Sequence, residues 1–206
     1  MVQQLTLQER HILEQSFDFI TREGVRSFTV DSLAQKLGMS KKTIYKFFPT
    51  KEVLIEKSVE FFTGLIERRL KNILETEPNP AKQFMSIMQF IIKRISQIQM
   101  ERVADLKTRY PQIWKKFEAF RLARRDDFYT ILSEAQKQGY IRQDIDVKVV
   151  ATLYMSIVIS TFQPEFFIKN NLSAPDTVRT FLKMITGGLF TDRGMKYVDN
   201  VLNKNG

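Results

Sequence analysis

The chain has 206 residues, 43% of them hydrophobic, enough for a buried core in one large domain or in a small and a medium one. Its 32 lysines and arginines against 23 acids leave a net charge of +9, which favours an anionic partner and would suit DNA, RNA or an acidic membrane surface equally. Cysteine is absent and histidine occurs once, so disulfides, thiolate metal sites and cysteine nucleophiles are excluded; His11 reads as an ordinary surface or packing residue, and no metal or cofactor is expected.

Met1 to Arg10 lacks the apolar stretch of a signal peptide, and no run approaches the roughly 18 apolar residues of a membrane span. A soluble, cytoplasmic protein with no membrane partner is expected. Thr6-Leu7-Gln8-Glu9 has the form of a capping box, in which threonine and glutamate satisfy each other's free amides. The helix it opens buries Ile12, Leu13, Phe17 and Ile20 and ends near Gly24. A second helix starts behind Thr29, turns Leu33, Ala34 and Leu37 inward and stops at Gly38. Ser40 caps a third, with Ile44 and Phe48 inward and Lys41, Lys42, Thr43, Tyr45 and Lys46 on the remaining surface. From Ser32 to Lys51 there are five lysines and no acid. Two short helices joined by a turn, with cations, hydroxyls and an aromatic on the outer one, form a unit suited to the major groove of DNA.

Pro49-Thr50-Lys51-Glu52 closes that unit and caps a long helix, whose stripe of Leu54, Phe61, Phe62, Leu65, Ile66, Leu70 and Ile73 runs to about Glu75. Asn79-Pro80 opens the next helix, carrying Phe84, Ile87, Met88, Ile91, Ile95 and Ile98. A shorter helix covers Arg102 to Tyr110, stopped by Pro111. One long helix is then expected from Ile113 to Ala135, closed at Gly139, with Arg121, Arg124 and Arg125 as a solvated face offset by Asp126 and Asp127. Asp144-Ile145-Asp146 caps a helix, Val149 to Phe162, that is apolar all round and so buried on more than one side. Pro164 interrupts or kinks it. Ser173-Ala174-Pro175-Asp176 restarts a helix through Val178, Phe181, Leu182, Ile185 and Leu189, with a break at Gly187-Gly188. Asp192 to Leu202 is one more short helix, and Asn203 to Gly206 is expected to fray.

The fold expected is therefore all-α, with an amino-terminal three-helix helix-turn-helix domain (1–50) and a larger carboxy-terminal helical bundle (51–206), the helix 51–75 connecting the two. No P-loop, paired His/Cys cluster or nucleophile elbow is present, so an enzyme is not expected.

The segment from Ile12 to Leu54 resembles the amino-terminal domain of the TetR family of bacterial transcriptional regulators. The matching residues are Gly24, Phe28-Thr29, Leu33-Ala34, Gly38, Ser40 to Tyr45, Phe48, Lys51-Glu52 and Leu54. The later helices are similar to the family's variable ligand-binding and dimerisation region in number, length and the Gly139 to Asp146 connection. The resemblance implies that Lys41, Lys42 and Thr43 face base edges. It implies that Tyr45, Lys46 and Lys51 face the sugar–phosphate backbone, with help from Thr29 and Ser40. Two residues depart from the pattern: Lys42 stands where many members carry a small residue, and Asp31 is an acid where the helix often reaches DNA, so Asp31 is left out of the contact set.

One such unit touches too few bases for useful specificity, so a homodimer on a near-palindromic double-stranded DNA operator is expected, paired through Val149 to Phe162 and Thr177 to Leu189. A small-molecule inducer, apolar or aromatic, would lie among the helices that carry Phe61, Phe62, Phe84, Met88, Phe117, Phe120, Tyr154 and Met155. The function expected is that of a ligand-responsive regulator, a repressor released by its inducer and associated with the nucleoid. The alternative is a similar protein without an inducer that acts through a protein partner, as corepressor, coactivator or nucleoid-associated factor.

Overall fold

Thr6 and Glu9 form the reciprocal capping box that the sequence announces: the Glu9 carboxylate accepts the Thr6 amide at 2.7 Å and the Thr6 hydroxyl accepts the Glu9 amide at 3.2 Å. They open α1 (Leu7–Glu23), the first helix of a computed structural model that describes residues 5–202, with side chains as far as Val198. The expected fraying of Asn203 to Gly206 lies outside the described residues. Then follow α2 (Val30–Leu37), α3 (Lys41–Phe47), α4 (Lys51–Thr76), α5 (Pro80–Ile95), α6 (Met100–Arg109), α7 (Pro111–Leu122), α8 (Arg125–Lys137), α9 (Val147–Ser156), α10 (Pro164–Lys169), α11 (Ala174–Leu189) and α12 (Asp192–Leu202). The protein is all-α. Among the described residues the only extended pairing is a single bridge between Ile141 and Phe190. No described helix is long and apolar enough to cross a membrane.

The chain forms two compact units, residues 1–67 with 98–117, and residues 68–97 with 118–206. In the first, Ile12, Phe28, Leu33, Ile44, Leu54 and Ile55 are completely buried, and Phe28 meets Phe19 edge-on at 5.5 Å. Each such side chain contributes about 1.5–3 kcal/mol of burial, so α1 to α3 hold together around α4. Leu106 of α6 and Ile113 of α7 join the same core. The Gln99 amide donates to the Thr21 carbonyl at 3.3 Å and Arg26 pairs with Asp105 at 2.8 Å, fastening α6 to α1 and its following turn. This unit is therefore larger than the 1–50 segment that carries the sequence motif.

In the second unit an aromatic column fills the interior. Tyr154 lies between Phe128, stacked at 4.2 Å, and Phe181, stacked at 5.6 Å, and Phe84 reaches Phe128 at 5.7 Å and Phe190 at 5.5 Å. Gln136 donates to the carbonyls of Arg142 and Ile145, which folds the 139–146 connection back onto α8.

Three sequence expectations change. The single helix through Ile113 and Ala135 is two helices, α7 and α8, separated at Ala123–Arg124. No proline, glycine or capping side chain marks the break; the apolar stripe stops at Phe120 and resumes at Phe128, and Arg124 takes the helical boundary without a side-chain cap. Its arginines also differ: Arg124 and Arg125 pair with Asp127 and Asp126, but Arg121 is half-buried and donates to the Phe162 carbonyl at 3.4 Å, and burial lowers its pKa. The helix from Val149 towards Phe162 leaves α geometry at Ile157–Thr161, one wide π turn, and Pro164 begins α10 rather than merely interrupting a helix. Finally, α11 continues through Gly187-Gly188 to Leu189.

Candidate nucleic-acid interface

Helix α3 is short, and everything that fixes it comes from its ends and its inner face. Gly38 adopts the left-handed conformation (φ +62°) that closes α2, and its amide donates back to the carbonyls of Ala34 and Gln35. Two residues later the Ser40 hydroxyl accepts the Thr43 amide at 3.1 Å and starts α3. Ile44, completely buried, and Phe48 anchor the inner face, while Phe47 is half-buried against the same core. What remains points outward: Lys41, Lys42 and Lys46 are exposed, and Thr43 and Tyr45 are half-buried.

The five lysines of this stretch are not equivalent. Lys36 lies 3.7 Å from Asp18, with its ammonium 5.7 Å from the Phe19 ring centre. Lys51 donates to the Val25 carbonyl at 3.4 Å and sits 5.8 Å from the Phe28 ring centre, half-buried at the start of α4. Lys41 donates to the Asp31 carboxylate at 2.8 Å and its ammonium lies 5.9 Å from the Tyr45 ring centre; the hydrogen bond it donates to Asp31 raises its pKa, so the charge stays on the lysine. Lys42 and Lys46 alone of the five make no hydrogen bond or ion pair among the described residues. They stand four residues apart on one helix face, where like charges repel, an arrangement that an external anion relieves.

The hydroxyls are partly committed to the fold. Thr29 accepts the Ser32 amide at 3.0 Å and makes a short contact with the Ser32 hydroxyl, and Ser40 shares a hydrogen bond with Thr43 at 2.8 Å. Each cap uses an acceptor lone pair. Chemically the surface offers ammonium donors to phosphate or to guanine O6 and N7, and a threonine methyl that fits a thymine methyl. The one sequence signal of the Asp31 partnership with Lys41 is that both residues fall in the first turn of consecutive helices.

Residues 12–57, the stretch that builds this surface, match the family described as bacterial regulatory proteins, tetR family. This amino-terminal segment is similar to that family's helix-turn-helix domain. The regulator YvaF of Bacillus subtilis, a helix-turn-helix type transcriptional regulator, is 24% identical over 89% of this chain and 96% of its own length. The transcriptional repressor KstR2 of Mycolicibacterium smegmatis is 25% identical over 90% and 92%. A transcriptional regulator from Saccharomonospora viridis, solved in complex with choline, shares the fold with a TM-score of 0.64 at 21% identity, over 89% of this chain and 98% of that one. The similarity to these two helix-turn-helix transcriptional regulators extends over nearly their whole lengths.

The residues expected around an inducer divide between the two units. In the first, Phe62 stacks on Phe17 at 3.9 Å and Phe117 packs against Trp114 at 5.3 Å, with Phe61 half-buried against the same core. A small cleft there is lined by Val59, Thr63, Ile113 and Phe117, with Lys116 closing it through Glu56 and Glu60. In the second, Phe84, Met88, Tyr154 and Met155 are buried, and Phe120 is half-buried beside Arg124. Phe84 and Tyr154 flank Phe128, and the Tyr154 hydroxyl donates to the Met88 sulfur at 3.2 Å. Burial pushes the Tyr154 pKa well upward, so the hydroxyl keeps its proton. Phe128 and Phe181 complete this group.

Proposed function

We propose that the protein is a dimeric repressor that binds a near-palindromic operator through α3 and is released by a small apolar or aromatic ligand held in residues 51–206. The observation that carries the DNA part is the outward pair Lys42 and Lys46, exposed, mutually repelling and without a partner among the described residues. Lys41, Lys42 and Thr43 meet base edges; Tyr45, Lys46 and Lys51, with Thr29 and Ser40, meet the backbone. Lys51 has to leave the Val25 carbonyl to do so, a weak bond at 3.4 Å to exchange for a phosphate.

Dimerisation is supported by apolar groups left in solvent on α9 and α11. Val149 and Leu153, four residues apart, are 52% and 59% exposed, and Met184 is 71% exposed. Near it, Gly187 and Gly188 have open space where a side chain would stand, which admits a close helix approach. Pairing these helices with their symmetry mates makes a four-helix interface. The ligand then acts by population shift: it favours the dimer in which α4, about 39 Å long at 1.5 Å per residue, holds the two α3 helices away from the roughly 34–36 Å repeat of the major groove. A repressor role is supported by the likeness to KstR2. The regulator acts in the cytoplasm, at the nucleoid.

The test begins with duplexes selected by the protein from fragments of the source genome. Leu153→Glu is expected to convert a dimer to a monomer in sedimentation and to weaken operator binding at least tenfold. A variant that remains dimeric and binds as before would remove α9 from the interface. A second reading, release by a protein partner instead of a small molecule, is favoured by the close stacking of Phe128, Tyr154 and Phe181, which leaves that column filled by its own rings.

A further inference from the structure

On a face that is otherwise basic, one acid stands against the helix that meets DNA. Asp31 lies in the first turn of α2, where the helix dipole favours a carboxylate, and its Oδ2 receives the Lys41 ammonium at 2.8 Å from the first residue of α3. Both side chains are open to water, 69% for Asp31 and 48% for Lys41, so the ion pair itself adds little to stability. The Tyr45 ring, 5.9 Å from the same ammonium, is a second group that holds it. Lys41 thus contacts both groups, while Lys42 and Lys46 have no partner among the described residues.

We propose that Asp31 is a specificity-determining residue of the interface: its carboxylate holds the Lys41 ammonium away from the phosphate backbone and presents it to a base edge. This rests on the reading of α3 as the DNA-facing helix. Binding to random DNA comes almost entirely from cations that displace counterions, whereas operator binding adds hydrogen bonds to bases. A lysine neutralised by its own acid contributes nothing to the first and, aimed at guanine O6 or N7, still contributes to the second. Asp31 therefore lowers affinity for random sequence more than affinity for the operator, and widens the ratio between them.

The full-length protein is titrated against two duplexes, one of random sequence and one selected from a random pool by the wild-type protein, across 50–200 mM salt. Asp31→Asn keeps the size and hydrogen-bonding capacity of the side chain and removes the charge. The expected result is tighter binding to the random duplex, with a salt slope steeper by about 0.9 for each bound chain, a factor of about 3–4 over this salt range, and a smaller ratio between the two duplexes. In Lys41→Met, adding Asp31→Asn should leave the random-sequence slope unchanged, because the cation that Asp31 restrains is gone. If Asp31→Asn changes neither slope nor ratio, or changes the slope equally in the Lys41→Met background, the proposal is overturned. Lys46→Ala separates the two levels: a slope that it lowers while Asp31→Asn does nothing defeats this proposal alone, and a slope that it also leaves unchanged defeats the DNA-facing reading of α3.

Discussion

Replacing Lys46 with alanine tests the interface where the fold is least involved. The Lys46 side chain is exposed, bonds to nothing among the described residues and stands one turn from Lys42 on a face whose opposite side, Ile44 and Phe48, is buried. Removing it leaves the core intact and relieves a like-charge i,i+4 repulsion of about 0.2–0.5 kcal/mol, so Lys46→Ala should melt at the same temperature as the parent or slightly higher. Its effect on DNA is opposite in sign. One lost phosphate contact lowers the slope of log affinity against log salt by about 0.9, and two chains on one operator lower it by about 1.8. Between 50 and 200 mM salt the variant's affinity then falls about 12-fold less than that of the parent. Fluorescence anisotropy on a labelled operator duplex at four salt concentrations, with a melting curve on the same sample, measures both. An unchanged slope in a normally folded protein would show that Lys46 touches no phosphate, and with it the outward face of α3 would lose its role.

Gly38→Ala should cost about 1 kcal/mol and lower the melting temperature by roughly 2–4 °C, because the new Cβ meets nothing within 4 Å and only the left-handed backbone is penalised; a loss several times larger would mean that the turn itself rearranges. Tyr154→Phe should cost less than about 1 kcal/mol in urea denaturation, since it removes only a hydrogen bond to a weak sulfur acceptor, whereas Tyr154→Ala should cost about 3–5 kcal/mol by emptying the stack between Phe128 and Phe181. Equal losses in the two variants would transfer the stabilisation from the rings to the hydroxyl.

The elements that could be read from sequence are those whose determinants are local. Thr6 with Glu9, Thr29, Ser40, Asn79, Asp146 and Ser173 all cap the helices that follow them, because a side-chain oxygen within three residues of a free amide needs nothing else to bond it. Gly38 stops α2 for the same reason: only glycine enters the left-handed turn without cost. The outward lysines of α3 followed from Ile44 and Phe48, since a helix that buries two residues four apart turns its opposite face, with Lys42 and Lys46, to solvent.

Where the outcome depended on residues far apart in the chain, local chemistry was silent. The break between α7 and α8 has no capping side chain; the half-buried Arg121 beside it bonds to the carbonyl of Phe162, forty-one positions on. The first compact unit takes in α6 and much of α7 because Leu106 and Ile113 find the core of α1 to α4, a match of surfaces that periodicity cannot specify. The five lysines looked alike as letters. Tertiary neighbours set them apart, giving Lys36 to Asp18, Lys41 to Asp31 and Lys51 to Val25, and leaving Lys42 and Lys46 open. The sequence by itself determined that a basic helix faces outward after a glycine turn; which of its charges are free was decided by the acids and carbonyls that folding brings beside them, because an ion pair depends on distance in space and not along the chain.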